Sequence, residues 1–496
     1  MLLLGIDLGT SSIKVSVVDS ATQQCIASAK YPESETPINS LQPGWAEQSP
    51  EIWWLHVQEA ILQVHATQQY DPMDIGAIGI AYQMHGLVLI DKDKKVLRES
   101  IIWCDSRSVE IGNQAFQAIG EEKCLSTLLN SPGNFTASKL AWVKANEPAI
   151  YEQLDKILLP GDFIAMKLSG ETTTTISALS EGIFWDFAKQ ELSKDIFNYF
   201  GFDTAIIPSI KKVFDIHGYL EKEVANFLGL TPEIPIAYKA GDQPNNALSL
   251  NVLQPGEVAA TAGTSGVIYS VSDTLAFDPE SRVNTFAHVN HTEARTRLGI
   301  LLCINGTGIM NSWIRNITGK TFSYQQMNES ASQVTVGSEG LSVLPFGNGA
   351  ERMLNNQTIQ AHLQNIDLNK HTHSHIYRAV QEGIAFSFRY GLDIMRNNGL
   401  APTVIRAGKA NLFLSDVFVE SFVNATQVPV ELYDCDGSVG AAIGAGLGAG
   451  VYANEKEAFV NSKRLQLIEP KAIARYDDIY HRWQELLRLQ IEKSNQ

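Results

Sequence analysis

One twelve-residue phrase occurs twice in this chain. Aligned without gaps, residues 8–19 and 262–273 share six of twelve positions: Gly9/Gly263, Thr10/Thr264, Ser11/Ser265, Ser16/Ser270, Val17/Val271 and Asp19/Asp273. Each copy follows an apolar run of strand length, so the match covers a strand, a tight turn and the next strand. Two similar halves are expected, the alternative being two unrelated hairpins that share turn chemistry. A Gly-Thr-Ser turn brings backbone N–H groups and hydroxyls close to an anion, because glycine adds no side chain and threonine and serine donate hydrogen bonds. Two such turns facing each other would grip one polyphosphate from both sides.

At 496 residues the chain exceeds what one core organises, and domains over 1–247 and 248–496 are expected, with the boundary falling within 242–254. A hydrophobic content of 44% with 19% charged residues is that of a soluble globular protein. The net charge of −16 argues against a general binder of nucleic acid or anionic membrane, which needs dense Lys/Arg faces. Bound phosphate must therefore be handled by backbone donors, a few cations and a metal. The start lacks a basic leader, and the small-residue stretch 439–451 is too short and glycine-rich to span a bilayer. Five cysteines, odd in number and without CxxC spacing, fit a reducing compartment, so a cytoplasmic protein is expected, without nucleic-acid or membrane partners and compatible with a homodimer.

Hydrophobic spacing predicts strands over 2–7, 12–19, 24–31, 75–82 and 234–240 in the first half. Ser49-Pro50-Glu51 opens a helix, with Ser49 as N-cap and Pro50 at N1, that points Ile52, Leu55, Ala60, Ile61 and Val64 at a core. Further helical patterns cover 138–144 and 162–168. The second half repeats the order with strands over 258–261, 267–271, 298–303, 403–406 and 430–433. A long helix over 375–398 ends at Gly399, a helix covers 413–425, and another begins at Gly437. The tail beyond Lys456 has a mixed-charge helical pattern and is uninformative. Hairpins followed by alternating helix and strand give an α/β fold, in which ligands sit at the carboxyl edge of the parallel strands.

Asp7 ends the first strand immediately before Gly9-Thr10, where a carboxylate can hold Mg²⁺ beside bound phosphates or simply start a turn. Asp242, after the strand 234–240, is the candidate general base, its alternative being a structural turn residue. In Gln83-Met84-His85-Gly86, His85 can donate to sugar hydroxyls or sit in the core. The cluster Trp103-Cys104-Asp105-Ser106-Arg107 offers an aromatic, an acid and a cation, a mix suited to a polyol and equally to an ion pair in a loop. The alternating histidines 371, 373 and 375 lack acidic or cysteine ligands nearby, and Thr372 or Ser374 caps the long helix instead. The Gly-Ala run 440–450 reads as close helix packing, with Gly437 and Gly440 as candidates to line a nucleotide base.

Together these residues resemble the FGGY carbohydrate kinases and, within them, the xylulose kinases. The features that carry the resemblance are Gly5-Ile6-Asp7-Leu8-Gly9-Thr10-Ser11-Ser12, Gln83-Met84-His85-Gly86, Trp103-Cys104-Asp105-Ser106-Arg107, Gly241-Asp242, Thr261-Ala262-Gly263-Thr264-Ser265 and the segment 437–446, in family order. The resemblance implies two ribonuclease-H-like domains, of the actin and hexokinase type, closing over a nucleotide and sugar cleft. It implies transfer of phosphate from ATP, with Mg²⁺, to O5 of D-xylulose. By position, Asp242 is the proton acceptor, Met84 and His85 contact the ketose with Arg107 and Gln243 beside them, and Asp7 is the magnesium-side carboxylate. Thr10 and Ser11 belong to the first phosphate loop and Gly263, Thr264 and Ser265 to the second. Gly306, Gly408, Lys409 and Asn411 fall near the nucleotide.

Two departures stand out. The family's Gly-Gly-Gly-Ala-x-Ser turn is here Ala407-Gly408-Lys409-Ala410-Asn411, where Lys409 replaces backbone approach with charge, and Gln243 stands where many xylulose kinases have asparagine. Ribulose, gluconate and glycerol are alternative acceptors. An actin-like or heat-shock-like ATP clamp without an acceptor is a further reading, but it leaves Met84, His85, Arg107 and Asp242 without purpose. A nicotinamide dehydrogenase is disfavoured because no GxGxxG opens a helix after the first strand.

Overall fold

Runs of Val, Ile, Leu and Ala too short for helices form the centre of each half. The computed structural model describes residues 1–319, 322–471 and 474–494. In the first half β1 (Leu2–Leu8), β2 (Ile13–Asp19), β3 (Cys25–Tyr31), β4 (Ile75–Tyr82), β5 (Phe214–Tyr219) and β6 (Pro235–Gly241) make a six-stranded sheet ordered β5-β6-β4-β1-β2-β3. β1 runs antiparallel to β2 and parallel to β4, which is parallel to β6. In the second half β7 (Glu257–Ala262), β8 (Gly266–Ser272), β9 (Asn284–Ala287), β10 (Leu298–Ile304), β11 (Val404–Gly408), β12 (Val430–Tyr433) and β13 (Arg464–Ile468) are ordered β9-β10-β8-β7-β11-β12-β13. Here β7 and β8 form the antiparallel hairpin, β11 and β12 are the parallel neighbours, and β13 is the antiparallel edge corresponding to β5. The repeated phrase thus belongs to a repeat of whole sheets.

Six helices matter for the site. They are α1 (Pro50–Ala66), α2 (Asp242–Ser249), α3 (Gly308–Ile317), α4 (His373–Asn397), α5 (Gly437–Gly448) and α6 (Ala474–Ser494). α5 follows β12 of the second sheet but lies on β1, β4 and β6 of the first, and it also packs against α2. Only small residues allow that crossing. A Cβ on Gly5 would stand 1.8 Å from the Ser438 carbonyl oxygen, and one on Gly79 2.0 Å from that of Ala441, so both sheet positions need glycine for the helix backbone to approach. The glycine- and alanine-rich segment is therefore packing, as its composition suggests, and it ties the two halves together.

Three expectations need correction. α1 begins at Pro50 behind Ser49, but its core face is Trp53, Val57, Ala60, Ile61 and Val64, while Ile52 and Leu55 are 44% and 49% exposed. Both faces of that helix carry apolar residues, and the bulk of Trp53 decides the rotation. The helix expected over 413–425 is a 3₁₀ turn at Asn411–Leu414 followed by a helix at Asp416–Thr426, because the Ser415 hydroxyl caps the Phe418 N–H. The tail is structural: β13 closes the second sheet, and α6 buries Tyr476, Tyr480, Trp483 and Leu487 in its core. Among the described residues no helix is long and apolar enough to cross a membrane.

Candidate active site

Strand register brings the candidate residues together. Leu8 of β1 stands opposite Tyr82 of β4, and Tyr82 opposite Gly241 of β6. The three parallel strands therefore end in one row, and what precedes or follows that row shares the carboxyl edge: Asp7 from β1, Gln83, Met84 and His85 after β4, and Asp242 at the start of α2.

Asp7 and Asp242 repel one another. Burial and then the neighbouring charges of Asp242 and Asp436 push the Asp7 carboxyl up to about 7, against the pull of Lys14. Burial raises Asp242 to about 6, against hydrogen bonds from Gln243. Lys14 and Asp436 form an ion pair, and Asp436 also caps α5 by accepting from the Ser438 N–H at 2.9 Å, so Asp436 is neutralised and Asp7 is not. Asp7 Oδ2 lies 2.3 Å from where a Cβ on Gly437 would stand, so Gly437 lies against the acidic pair. Gly440 packs on Ser249 in the α2–α5 contact. Two hard oxygen donors with unbalanced charge are suited to Mg²⁺. The histidines 371–375 serve the start of α4 instead, with Thr372 as N-cap and its N–H donating to His375 Nδ1 at 3.2 Å.

The residues expected to contact the sugar lie beside this pair. His85 sits at a left-handed φ of +61°, and its Nδ1 lies 3.1 Å from the Glu181 carbonyl oxygen. A carbonyl only accepts, so Nδ1 carries the proton and Nε2 is left as an acceptor. Burial, with Lys139 nearby, pushes His85 down to about 3, so the ring is neutral. Phe135 and, from β9 of the other half, Phe286 enclose it at 4.9 and 5.3 Å. Met84 is buried against Gly241. The Gln243 side chain hydrogen-bonds Asp242 while its Oε1 is buried without a partner.

Two residues here escape sequence reasoning. Glu181, at the end of the helix Ile176–Glu181, reaches the space beside Gly241, and burial holds its carboxyl well above the ordinary range, against a hydrogen bond from Tyr82. Lys139 donates from Nζ to the His85 and Ile102 carbonyls at 2.8 and 3.0 Å, and burial lowers it to about 7. A lysine or glutamate in a short helix reads as solvated, and only the long-range contact reveals otherwise.

Arg107 is turned into the fold. Its side chain is 1% exposed, with ion pairs to Glu47 at 2.6 Å and Asp105 at 2.7 Å, and the guanidinium lies over Trp45 at 3.9 Å and Trp142 at 4.8 Å. Its charge is paired inside the fold. It fixes the loop bearing Trp103, whose Nε1 donates to Thr10 Oγ1 at 2.9 Å.

The two Gly-Thr-Ser turns differ in what they leave free. Thr10 Oγ1 donates to Gln83 Oε1 at 3.1 Å, so its hydroxyl is engaged, whereas among the described residues the N–H groups of Thr10 and Ser11 bond nothing in the chain. In the second turn the Gly263 and Thr264 carbonyls accept from Gly308 N and Ile309 N at 2.9 and 3.1 Å, pinning the turn to the start of α3. Gly263 and Thr264 open on a cavity of about 840 Å³ whose walls include Asn311, Asn328, Asn411 and Ser415. Ser265, Gly408 and the exposed Lys409 do not line that cavity. Gly306 stands behind the turn, with its N–H donated to Glu351 at 3.1 Å and Pro345 where a side chain would be.

The FGGY family of carbohydrate kinases matches the chain through its N-terminal domain over residues 2–249 and its C-terminal domain over residues 258–451. The xylulose kinase of Escherichia coli (strain K12) is 27% identical over 460 residues, 92% of this chain and 91% of that protein. A xylulose kinase structure from Brucella ovis is similar with a TM-score of 0.87 at 26% identity, covering 98% of each chain. A gluconate kinase structure from Lactobacillus acidophilus shares the fold with a TM-score of 0.89 at 21% identity, covering 99% of this chain and 98% of that one.

Proposed function

Since the chain belongs to the FGGY family of carbohydrate kinases, we propose that it transfers the γ-phosphoryl group of ATP to O5 of D-xylulose, with Asp242 as general base. The observation that supports this reading is the row Leu8–Tyr82–Gly241, which puts Asp7, His85 and Asp242 at one edge of the first sheet. Phosphoryl transfer asks the protein mainly to position an attacking oxygen and to spread charge. Asp242, raised to about 6, is ionised at neutral pH yet basic enough to accept the hydroxyl proton. The free Nε2 of His85 accepts from one ketose hydroxyl, and the unpartnered Gln243 Oε1 from another. The unbonded N–H groups of Thr10 and Ser11 face the phosphates, and the 840 Å³ cavity holds the rest of the nucleotide. Asp7 would hold Mg²⁺, which when bound neutralises phosphate charge. The xylulose kinases among its relatives support D-xylulose as acceptor, and the free cysteines support a cytoplasmic location.

A coupled ADP-release assay over D-xylulose, ribulose, gluconate and glycerol tests the substrate. D-xylulose should give the highest kcat/KM, whereas a flat response would support the clamp and a gluconate or glycerol maximum another acceptor. In the same assay at saturating Mg·ATP, kcat/KM for the sugar should be level above pH 7 and fall roughly tenfold per unit below about pH 6. The sign follows from the active form: a base works deprotonated, so activity is lost as pH falls through its pKa. A profile flat from pH 5 to 8 would remove Asp242 from the role.

A further inference from the structure

A second cavity lies in the second half of the chain, between the segment before α4, the 337–342 turn and α6. It has a volume of about 630 Å³, and its walls include Lys370, His371, Arg475 and Arg482 together with Glu339 and Asp367. Among the described residues Lys370, Arg475 and Arg482 make no ion pair, in a chain whose net charge is −16. His371 Nδ1 accepts from the Asp367 N–H at 3.0 Å, so the neutral ring carries its proton on Nε2, and that atom is buried with no acceptor in the chain. The opposite wall is held in an unusual conformation: Ser338 and Glu339 have φ of +45° and +51°, fixed by Glu382, which accepts from Gly337 N at 2.9 Å and Ser338 Oγ at 3.1 Å. Non-glycine residues in that region carry strain that surrounding contacts must hold.

Three unpaired cations and an orphan N–H call for an anion with several acceptor oxygens. The two carboxylates on the same walls would repel a bare anion and accept hydroxyls. We infer that this cavity binds a phosphorylated sugar, its phosphate among Lys370, Arg475 and Arg482 and its hydroxyls toward Glu339 and Asp367. The site is also connected to the nucleotide. Gln381, next to Glu382 on α4, donates to Asn328 Oδ1 at 2.9 Å and accepts from Ser415 Oγ at 2.6 Å, and Asn328 and Ser415 both line the 840 Å³ cavity. On this inference occupancy of one cavity changes affinity at the other, and by linkage the reverse holds; this coupling, unlike the phosphate site itself, rests on the nucleotide lying in the 840 Å³ cavity. This inference does not depend on which sugar the enzyme phosphorylates.

The test titrates the full chain with ribose 5-phosphate, ribose and inorganic phosphate. Ribose 5-phosphate should bind saturably and more tightly than either fragment. The double variant Arg475→Ser/Arg482→Ser should weaken it by at least roughly tenfold, while Arg488→Ser, on the same helix but outside the cavity, leaves it unchanged. ADP affinity should shift about fivefold on adding ribose 5-phosphate to the wild type and not to the double variant. Equal affinity in wild type and double variant would overturn the site, equal affinity for bare phosphate would overturn the sugar assignment, and unmoved ADP affinity would overturn the connection.

Discussion

Replacing Asp242 with asparagine is expected to lower turnover with D-xylulose by at least about 10²-fold, the loss that accompanies a positioned base, while ADP still binds. The same change should leave the fold intact and make it more stable at pH 8. The carboxyl is raised from 3.8 to about 6 in the folded protein. Between those values the folded chain holds more protons than the unfolded chain, so stability falls as pH rises through that window, and above it the ionised group costs up to about 3 kcal/mol. Asp242 also begins α2, where a carboxylate at a helix N-terminus contributes about 0.5–1 kcal/mol that asparagine gives up. Burial is the larger effect, so Asp242→Asn should gain about 1–2 kcal/mol in urea unfolding at pH 8 and almost nothing at pH 3.5. Lower stability at both pH values would mark Asp242 as a structural turn residue.

Arg107→Ala is expected to behave oppositely, with a loss of about 3–5 kcal/mol in stability, because removing one partner of a buried ion pair strands the other. Asp105 is fully buried and would keep only backbone donors such as the Ala46 N–H. Trp45 and Trp142 would lose the cation between them, which adds to the cost. Urea unfolding reads the loss directly. KM for ATP should rise as a secondary effect, since the loop placing Trp103 against Thr10 loosens. A variant of normal stability with a raised sugar KM would return Arg107 to the substrate.

What could be read in advance follows the range of the forces involved. β1 and β4 are legible because they record their burial in runs of apolar residues, β2 and β12 because buried apolar residues alternate there with polar ones, and the Gly-Thr-Ser turns because their chemistry is local. The positions of Asp7 and Asp242 are legible for the same reason: one stands at the end of β1 and the other directly after β6, where it opens α2. Arg107 is not, because whether a guanidinium faces solvent or Glu47 depends on a partner 60 residues away. Glu181 and Lys139 fail in the same way. The crossing of α5 onto the first sheet is half legible: its small residues announce close packing, but nothing local names Gly5 and Gly79 as the surface it meets. The rotation of α1 was decided by Trp53, a residue whose neighbours on both sides are apolar too.

The central claim is that Asp242 faces the attacking hydroxyl across from the phosphates, and the most direct measurement is a crystal structure with D-xylulose, Mg²⁺ and a non-hydrolysable ATP analogue. The account predicts O5 within about 3.2 Å of an Asp242 carboxylate oxygen and in line with the γ-phosphorus. An O5 placed more than about 5 Å from that carboxylate, or a nucleotide whose γ-phosphate points away from the Asp7 and Asp242 pair, would contradict it.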